Sequence, residues 1–349
     1  MRLENSSRIM RTMEDIEELI RNPFEAFRIA DEIRSKAVGD VVTFVVNRNI
    51  NFTDICIGDC KFCSFRNRRR YILTIEEIKK KVRSAIDYGC TEVCVQGGLL
   101  PNADINFYIS IIEAIREESE DIHIHAFSPM EIYHMARNSG MEIKEVLKEL
   151  KKAGLNSIPG TSAEILDDDI RRVICPRKIT TDQWVDIIMT AHRLGIPSTA
   201  TMMYGHIENW VHRIKHLLII KEIQRKTQRF TEFIPLPFMK KNNELGKIVR
   251  GSSGFEDLLV IALSRIILHP SIKNIQASWV KLGVKLAQAA LCVGANDLGG
   301  TLMEENISKS AGATSGEFLT VEEIVDLIEG VGRIPRQRDT LYNIIGGCR

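Results

Sequence analysis

Between residues 14 and 35 the apolar positions Ile16, Leu19, Ile20, Phe24, Phe27, Ile29 and Ile33 recur at roughly helical spacing. This predicts one or two amphipathic helices, the second started by Pro23. After Gly39 the pattern changes to VVTFVVNRNINFT, a β-branched run suited to a buried strand. A rhythm then sets in, with candidate strands at 41–52, 92–96, 122–126, 155–158, 198–203, 231–235, 274–278 and 293–296. Helical stretches separate them near 75–88, 104–119, 130–152, 181–194, 210–226, 254–268 and 281–291. Short apolar strands alternating with helices predict an α/β fold, a (β/α)8 TIM-type barrel of parallel strands. Local punctuation agrees. Thr74 with Glu77 and Thr180 with Gln183 offer capping boxes, and Gly89, Gly154 and Gly195 follow helical runs. A doubly wound sheet is the rival, but the Gly-rich turn expected after its first strand is replaced by cysteines. A further helix is predicted over 320–330, capped by Thr320 with Glu323, and the Gly- and Arg-rich tail beyond it carries no assignable pattern. The expected division is a helical extension over 1–39, a barrel over 40–303 and a C-terminal extension over 304–349.

Composition narrows the class. With 44% hydrophobic and 27% charged residues, the 349-residue chain holds enough apolar material for a sizeable core. The formal net charge of +1 gives no global field to draw in nucleic acid or an anionic membrane. Runs such as VVTFVV fall well short of the roughly 18 apolar residues of a membrane span, and no signal peptide is visible, so a cytoplasmic protein is expected. Cysteines stand at 56, 60, 63, 90, 94, 175, 292 and 348. Three fall within eight residues, which points to metal ligation rather than a disulfide framework. Cys90, Cys94, Cys175 and Cys292 lie in apolar stretches expected of buried thiols.

The segment NFTDICIGDCKFCSFRNRRR, residues 51–70, places Cys56, Cys60 and Cys63 in the spacing C-x3-C-x2-C. Thiolates select iron–sulfur clusters, zinc or copper over hard cations. Zinc would want a fourth ligand nearby, and the next cysteine and histidine are Cys90 and His123. A four-iron cluster on three cysteines keeps one iron open, where a small molecule can chelate through two hetero-atoms. A low-potential cluster there can break the C–S bond of a sulfonium. Structural zinc and inert thiols are the alternatives. The loop follows the first predicted strand, on the side where barrels carry their catalytic groups.

Other candidates cluster at strand ends. His123 and His125 are two apart and face one side of a strand, where they bind substrate or pack against polar neighbours. Ser128 and Glu131 follow; Glu131 either handles substrate and protons or caps the next helix. Glu164 comes after Gly160 and Thr161, with Arg171 and Arg172 about two turns on; a carboxylate suits a ribose diol and a guanidinium suits a carboxylate. Tyr204, His206 and Glu208 sit where the fifth strand becomes a loop, and Asn296, Asp297 and Thr301 close the eighth.

With Phe62 between the second and third cysteines, the cysteine segment resembles the radical S-adenosylmethionine superfamily. The resemblance implies a [4Fe–4S] cluster on Cys56, Cys60 and Cys63 whose free iron chelates S-adenosylmethionine, and reductive cleavage to methionine and a 5′-deoxyadenosyl radical. It further implies that Phe62 shields the cluster, that Gly97 and Gly98 meet the cofactor's amino group, and that Glu164 and Arg171 hold its ribose and carboxylate.

Over about residues 40 to 305 the chain is similar to one branch. QGGLLPNADINFY, HIHAFSPMEIYHMARNSG, SIPGTSAEILDD, TATMMYGHIE and ANDLGGTLMEENIS resemble the tyrosine-using subunits of F0 synthase, which act in coenzyme F420 biosynthesis. That family implies fragmentation of L-tyrosine to 2-iminoacetate and transfer of its 4-hydroxybenzyl group to C5 of 5-amino-6-(D-ribitylamino)uracil. It also implies a separate ring-closing radical subunit and a reduced donor such as ferredoxin. The radical enzymes of the futalosine route to menaquinone share HAFSP-like and AEI-like elements and stand as the alternative. A non-catalytic metal- or RNA-binding protein built on the cysteine loop and Arg66–Arg70 is disfavoured by the near-neutral charge. That basic run departs from the family pattern: three of its arginines are read as solvated, and Arg66 is left open.

Overall fold

The computed structural model describes residues 13–312 and 316–345. Eight strands run through it: β1 (Val41–Val45), β2 (Asn47–Asn51), β3 (Glu92–Gln96), β4 (His123–Ala126), β5 (Ser198–Tyr204), β6 (Phe230–Pro237), β7 (Asp297–Gly300) and β8 (Ile334–Arg338). All strand pairs are parallel, in keeping with the helices between most of them. They form three sheets, ordered β7-β1-β8, β2-β3-β4 and β5-β6.

The expected closed barrel is therefore corrected: the sheets are separate, joined only by isolated bridges at His125–Ser157, Ile158–Ser198, Phe233–Ile275 and Gln276–Asp297. Two physical causes stand out. β8, from the tail that carried no readable pattern, pairs with β1 along its length from Val41–Ile334 to Val45–Arg338, so β1 has neighbours on both edges and β2 alone meets β3. Second, the predicted strands 155–158 and 274–278 shrink to single bridges because asparagine side chains take ladder positions. The Asn156 amide oxygen accepts the Ile124 N–H at 2.8 Å, and that of Asn296 accepts the Ile275 N–H at 2.9 Å. Pro159 removes a further donor. The predicted strand 293–296 starts late, at Asp297.

The helices follow the sequence reading more closely. The capping boxes at Thr74, Thr180 and Thr320 form. The stretch read as one helix over 130–152 is two, Pro129–Ser139 and Ile143–Ala153, because Gly140 turns left-handed at φ 61°. The stretch read over 281–291 likewise breaks, into Trp279–Leu282 and Val284–Ala290. Beneath the cysteine loop Phe52 packs edge-on against Tyr108 and Phe127 at 5.9 and 6.2 Å, and all three rings are buried. Each contributes roughly 2 kcal/mol through burial. Cys292 is exposed, against expectation, since it lies in a turn after a short helix, and Cys348 is outside the described residues. Among the described residues no helix is long and apolar enough to cross a membrane.

Candidate active site

The cysteine loop leaves β2 and is fixed by its own polar groups. Burial pushes the Asp54 carboxyl up, but the backbone N–H groups of Arg69, Tyr71 and Arg70 outweigh it and hold it below the usual range. Asn67 brackets Cys56, accepting its N–H and donating to its carbonyl, both at 3.1 Å. The end of β3 packs on the loop without room to spare. A Cβ on Gly98 would stand 2.2 Å from the Ile55 carbonyl oxygen, and one on Gly97 2.5 Å from the Phe52 ring. The paired glycines are thus demanded by packing as well as by any ligand. Arg66 donates to the Gly58 carbonyl and Arg68 to that of Ser310, so both tie the loop down.

Cys56, Cys60, Cys63 and Phe62 line one cavity of about 270 Å³, together with Gly97, Gly98, Ser128, Glu131, Ser162, Glu164 and Lys178. A larger cleft of about 640 Å³ lies on the other side of the loop, between Arg68, Arg69 and Glu304, and holds no cysteine. Burial pushes the Cys60 thiol up to about 12, against a smaller lowering by Lys178. Among the described residues no group of three or more His, Cys, Asp or Glu side chains already stands together as a metal-binding set. The chemistry of the cavity nevertheless fits a thiolate-held cluster with a polar cofactor beside it. Three soft sulfurs share the space with an aromatic ring, and the buried Ser162 hydroxyl has no hydrogen-bond partner.

Glu131 combines the two roles weighed for it. One oxygen accepts the Ser128 N–H and hydroxyl, each at 2.7 Å, completing a capping box on the helix Pro129–Ser139. The other accepts the Gly97 N–H at 3.1 Å. Burial raises its pKa to about 7 despite these donors. Glu164 lies at φ 48° in a tight loop and pairs with Lys178, whose ammonium sits 5.2 Å from the centre of the Phe62 ring. Burial alone would raise Glu164; Lys178 outweighs it and holds the carboxylate low.

A second cavity of about 230 Å³ adjoins the first, and the two share Gln96, Thr161, Leu236, Lys281 and Ile307. It is polar and acid-rich. Glu92 accepts from Asn47 at 2.8 Å and from Thr340 at 2.7 Å, and Glu232 accepts from the Tyr342 hydroxyl at 2.7 Å. Arg338 forks onto Asp297 at 2.6 and 3.0 Å. His125 faces this cavity, with Nδ1 2.7 Å from the Ser157 hydroxyl, and burial pushes it down to about 4.

The remaining candidates line neither cavity. His123 meets Ser157 from the far side at 2.7 Å. Arg171 spends its guanidinium on the carbonyls of Ser162, Ala163 and Ile179, shaping the loop that carries Glu164. Tyr204 is buried beside Arg213, with burial and Asp257 pushing its hydroxyl well up. His206 rests 2.9 Å from Glu208. Asn296 holds Arg265 at 2.6 Å, Asp297 accepts from Thr43 at 2.5 Å, and the Thr301 hydroxyl donates to the Asn47 carbonyl at 2.8 Å. Sequence reasoning missed Lys178, Lys281, Glu92, Glu232 and Arg338. None stands in a motif, and only their convergence on two cavities marks them.

Residues 50–219 match the Radical SAM superfamily and residues 227–346 the CofH/MqnC C-terminal region. The 5-amino-6-(D-ribitylamino)uracil–L-tyrosine 4-hydroxyphenyl transferase of Archaeoglobus fulgidus is 68% identical, over 97% of this chain and 99% of its own. The protein of the same name from Methanocaldococcus jannaschii is 58% identical, over 92% of each. Among solved structures, methylornithine synthase superposes with a TM-score of 0.71 at 19% identity, covering 93% of this chain and 90% of that one. The FeFe-hydrogenase maturase HydG from Carboxydothermus hydrogenoformans gives 0.70 at 18%, covering 98% and 86%. These two speak for the fold alone. The chain belongs to the radical SAM superfamily and, within it, to the family of 5-amino-6-(D-ribitylamino)uracil–L-tyrosine 4-hydroxyphenyl transferases.

Proposed function

We propose that this chain is a radical S-adenosylmethionine transferase that fragments L-tyrosine and couples its 4-hydroxybenzyl group to C5 of 5-amino-6-(D-ribitylamino)uracil, in the route to F0 and coenzyme F420. The identity to curated relatives of that name over nearly the whole chain supports this reading. The structural observation that carries it is the pair of adjoining cavities, one with the three thiols and one polar, with a common wall. Chemistry begun in the first reaches a substrate in the second without leaving protein cover.

Cys56, Cys60 and Cys63 would hold a [4Fe–4S] cluster, which with S-adenosylmethionine supplies the hydrogen-abstracting radical. Phe62 keeps water from the sulfurs. Glu131, held by Ser128, fixes the Gly97 amide at the cavity wall, and Glu164 presents a carboxylate to a ribose diol. Lys178 pairs with Glu164 and keeps it ionised, while Arg171 positions the loop. His125, with Glu92 and Glu232, offers the polar contacts that a ribityl chain requires. Asn296, Asp297 and Thr301 support that wall from behind, and Tyr204 and His206 brace the mouth of β5. Ring closure would then fall to a separate radical subunit. A reduced protein such as ferredoxin supplies the electron. The unpaired cysteines among the described residues support a cytoplasmic setting.

Anaerobic reconstitution, reduction, and incubation with tyrosine and the ribitylaminouracil tests the reading. The coupled mass is expected alongside 5′-deoxyadenosine. Formation of 5′-deoxyadenosine only with some other substrate, and no coupled product, would overturn it.

A further inference from the structure

Five cationic side chains line the two cavities, and four already have partners. Arg66 donates to the Gly58 carbonyl, Arg177 pairs with Asp59 at 3.4 Å, Lys178 with Glu164, and Arg338 with Asp297 at 2.6 Å. Lys281 is the fifth. Among the described residues its ammonium makes no hydrogen bond and no ion pair, although Glu305 and Glu164 are near enough to act on it through space. It stands on the wall common to both cavities. Its position is fixed from behind: the Trp279 indole N–H donates to the Gly300 carbonyl at 2.9 Å, and Trp279 and Val280 are buried.

Lys281 is part-buried, and a cavity-lining ammonium with no bonded partner offers an incoming anion a charge-assisted contact. Of the two molecules joined in the proposed reaction, only tyrosine carries a fixed negative charge, on its α-carboxylate. S-adenosylmethionine carries the same group. Lys178, however, lies over Phe62 in the thiol cavity alone, whereas Lys281 also reaches the cavity where the second substrate sits. We infer that Lys281 is the seat of the α-carboxylate of L-tyrosine, holding the amino acid at the junction between the two cavities. This rests on the reading under Proposed function. It makes Lys281 a binding residue that selects amino acids over amines.

The test is equilibrium binding by calorimetry to cluster-loaded, unreduced protein, with tyrosine, tyramine and S-adenosylmethionine as separate titrants. Wild type should prefer tyrosine to tyramine, which lacks the carboxylate, by about ten-fold or more. Lys281→Met should lose that preference by weakening tyrosine while tyramine and S-adenosylmethionine bind as before, and Lys281→Arg should keep part of it. Unchanged tyrosine affinity in Lys281→Met would overturn the assignment. So would weakening of S-adenosylmethionine instead of tyrosine, or equal weakening of tyrosine and tyramine, which would mark a packing role. A wild type that binds S-adenosylmethionine but not tyrosine would remove the functional reading itself.

Discussion

Glu131 accepts the backbone N–H of Gly97 at 3.1 Å, linking the start of one helix to the mouth of the neighbouring strand. The same carboxylate caps its own helix through Ser128. Removing it strands two backbone donors and a hydroxyl in a buried setting. Glu131→Ala should therefore lose about 2 kcal/mol or more of stability, beyond an ordinary cap deletion. It should also weaken S-adenosylmethionine binding. Glu131→Gln, which keeps an acceptor, should lose less. Chemical denaturation and cofactor titration measure both, and an unperturbed Glu131→Ala would contradict the coupling.

Replacing Cys56, Cys60 or Cys63 by Ala should abolish the visible absorbance of the reconstituted cluster and all S-adenosylmethionine cleavage. Cys90, Cys94, Cys175 and Cys292 should be dispensable for iron content. The telling case is Cys175, since it is close enough to Cys60 to affect its ionisation. Iron analysis of Cys175→Ser should give a full complement; loss of iron there would enlarge the ligand set.

Lys178→Met leaves the part-buried Glu164 carboxylate without its counter-charge. The expected result is a loss of roughly 3 kcal/mol in stability and weaker S-adenosylmethionine binding. Pairing it with Glu164→Gln should restore much of the stability but not the affinity. A double-mutant cycle on melting temperature separates the two effects.

Burial pushes His125 down to about 4 and both His192 and His216 down to about 3. The folded protein keeps these rings neutral, whereas the unfolded chain protonates them near 6.5. Their contribution to stability is complete above that value and is lost as the pH falls towards 4 and then 3. Melting temperatures should drop steadily between about pH 6.5 and 4.5. His192→Gln should flatten that slope. His192 meets Thr227 and Ser198 at 2.8 and 2.9 Å, and glutamine can serve both.

What was legible in the sequence was encoded locally. Helix starts show in capping residues three apart, so Thr74 and Thr180 read correctly, and the thiol triplet singled out by its spacing lines one cavity. Sheet connectivity did not. Arg336 and Arg338 look like a charged tail until β8 is seen beside β1, and Asn156 and Asn296 look like loop residues until their amides take over ladder positions. Arg171 shows a different limit. A guanidinium suits a carboxylate and a ring of carbonyls equally well, and only folding decides which it meets. Lys178 and Lys281 carried no local signal, because what distinguishes them is the empty space they face.

The bond from Thr340 to Glu92 spans 248 residues of sequence. During synthesis, at about 5–20 residues per second, β1 must wait roughly 15 to 60 s for β8, 293 residues further on, to cover its second edge. Until then it presents unpaired amides and carbonyls to the crowded cell. The polar cavity lacks Arg338 and Thr340 over the same interval. The second cavity is therefore completed last, when the late-emerging strand docks beside β1.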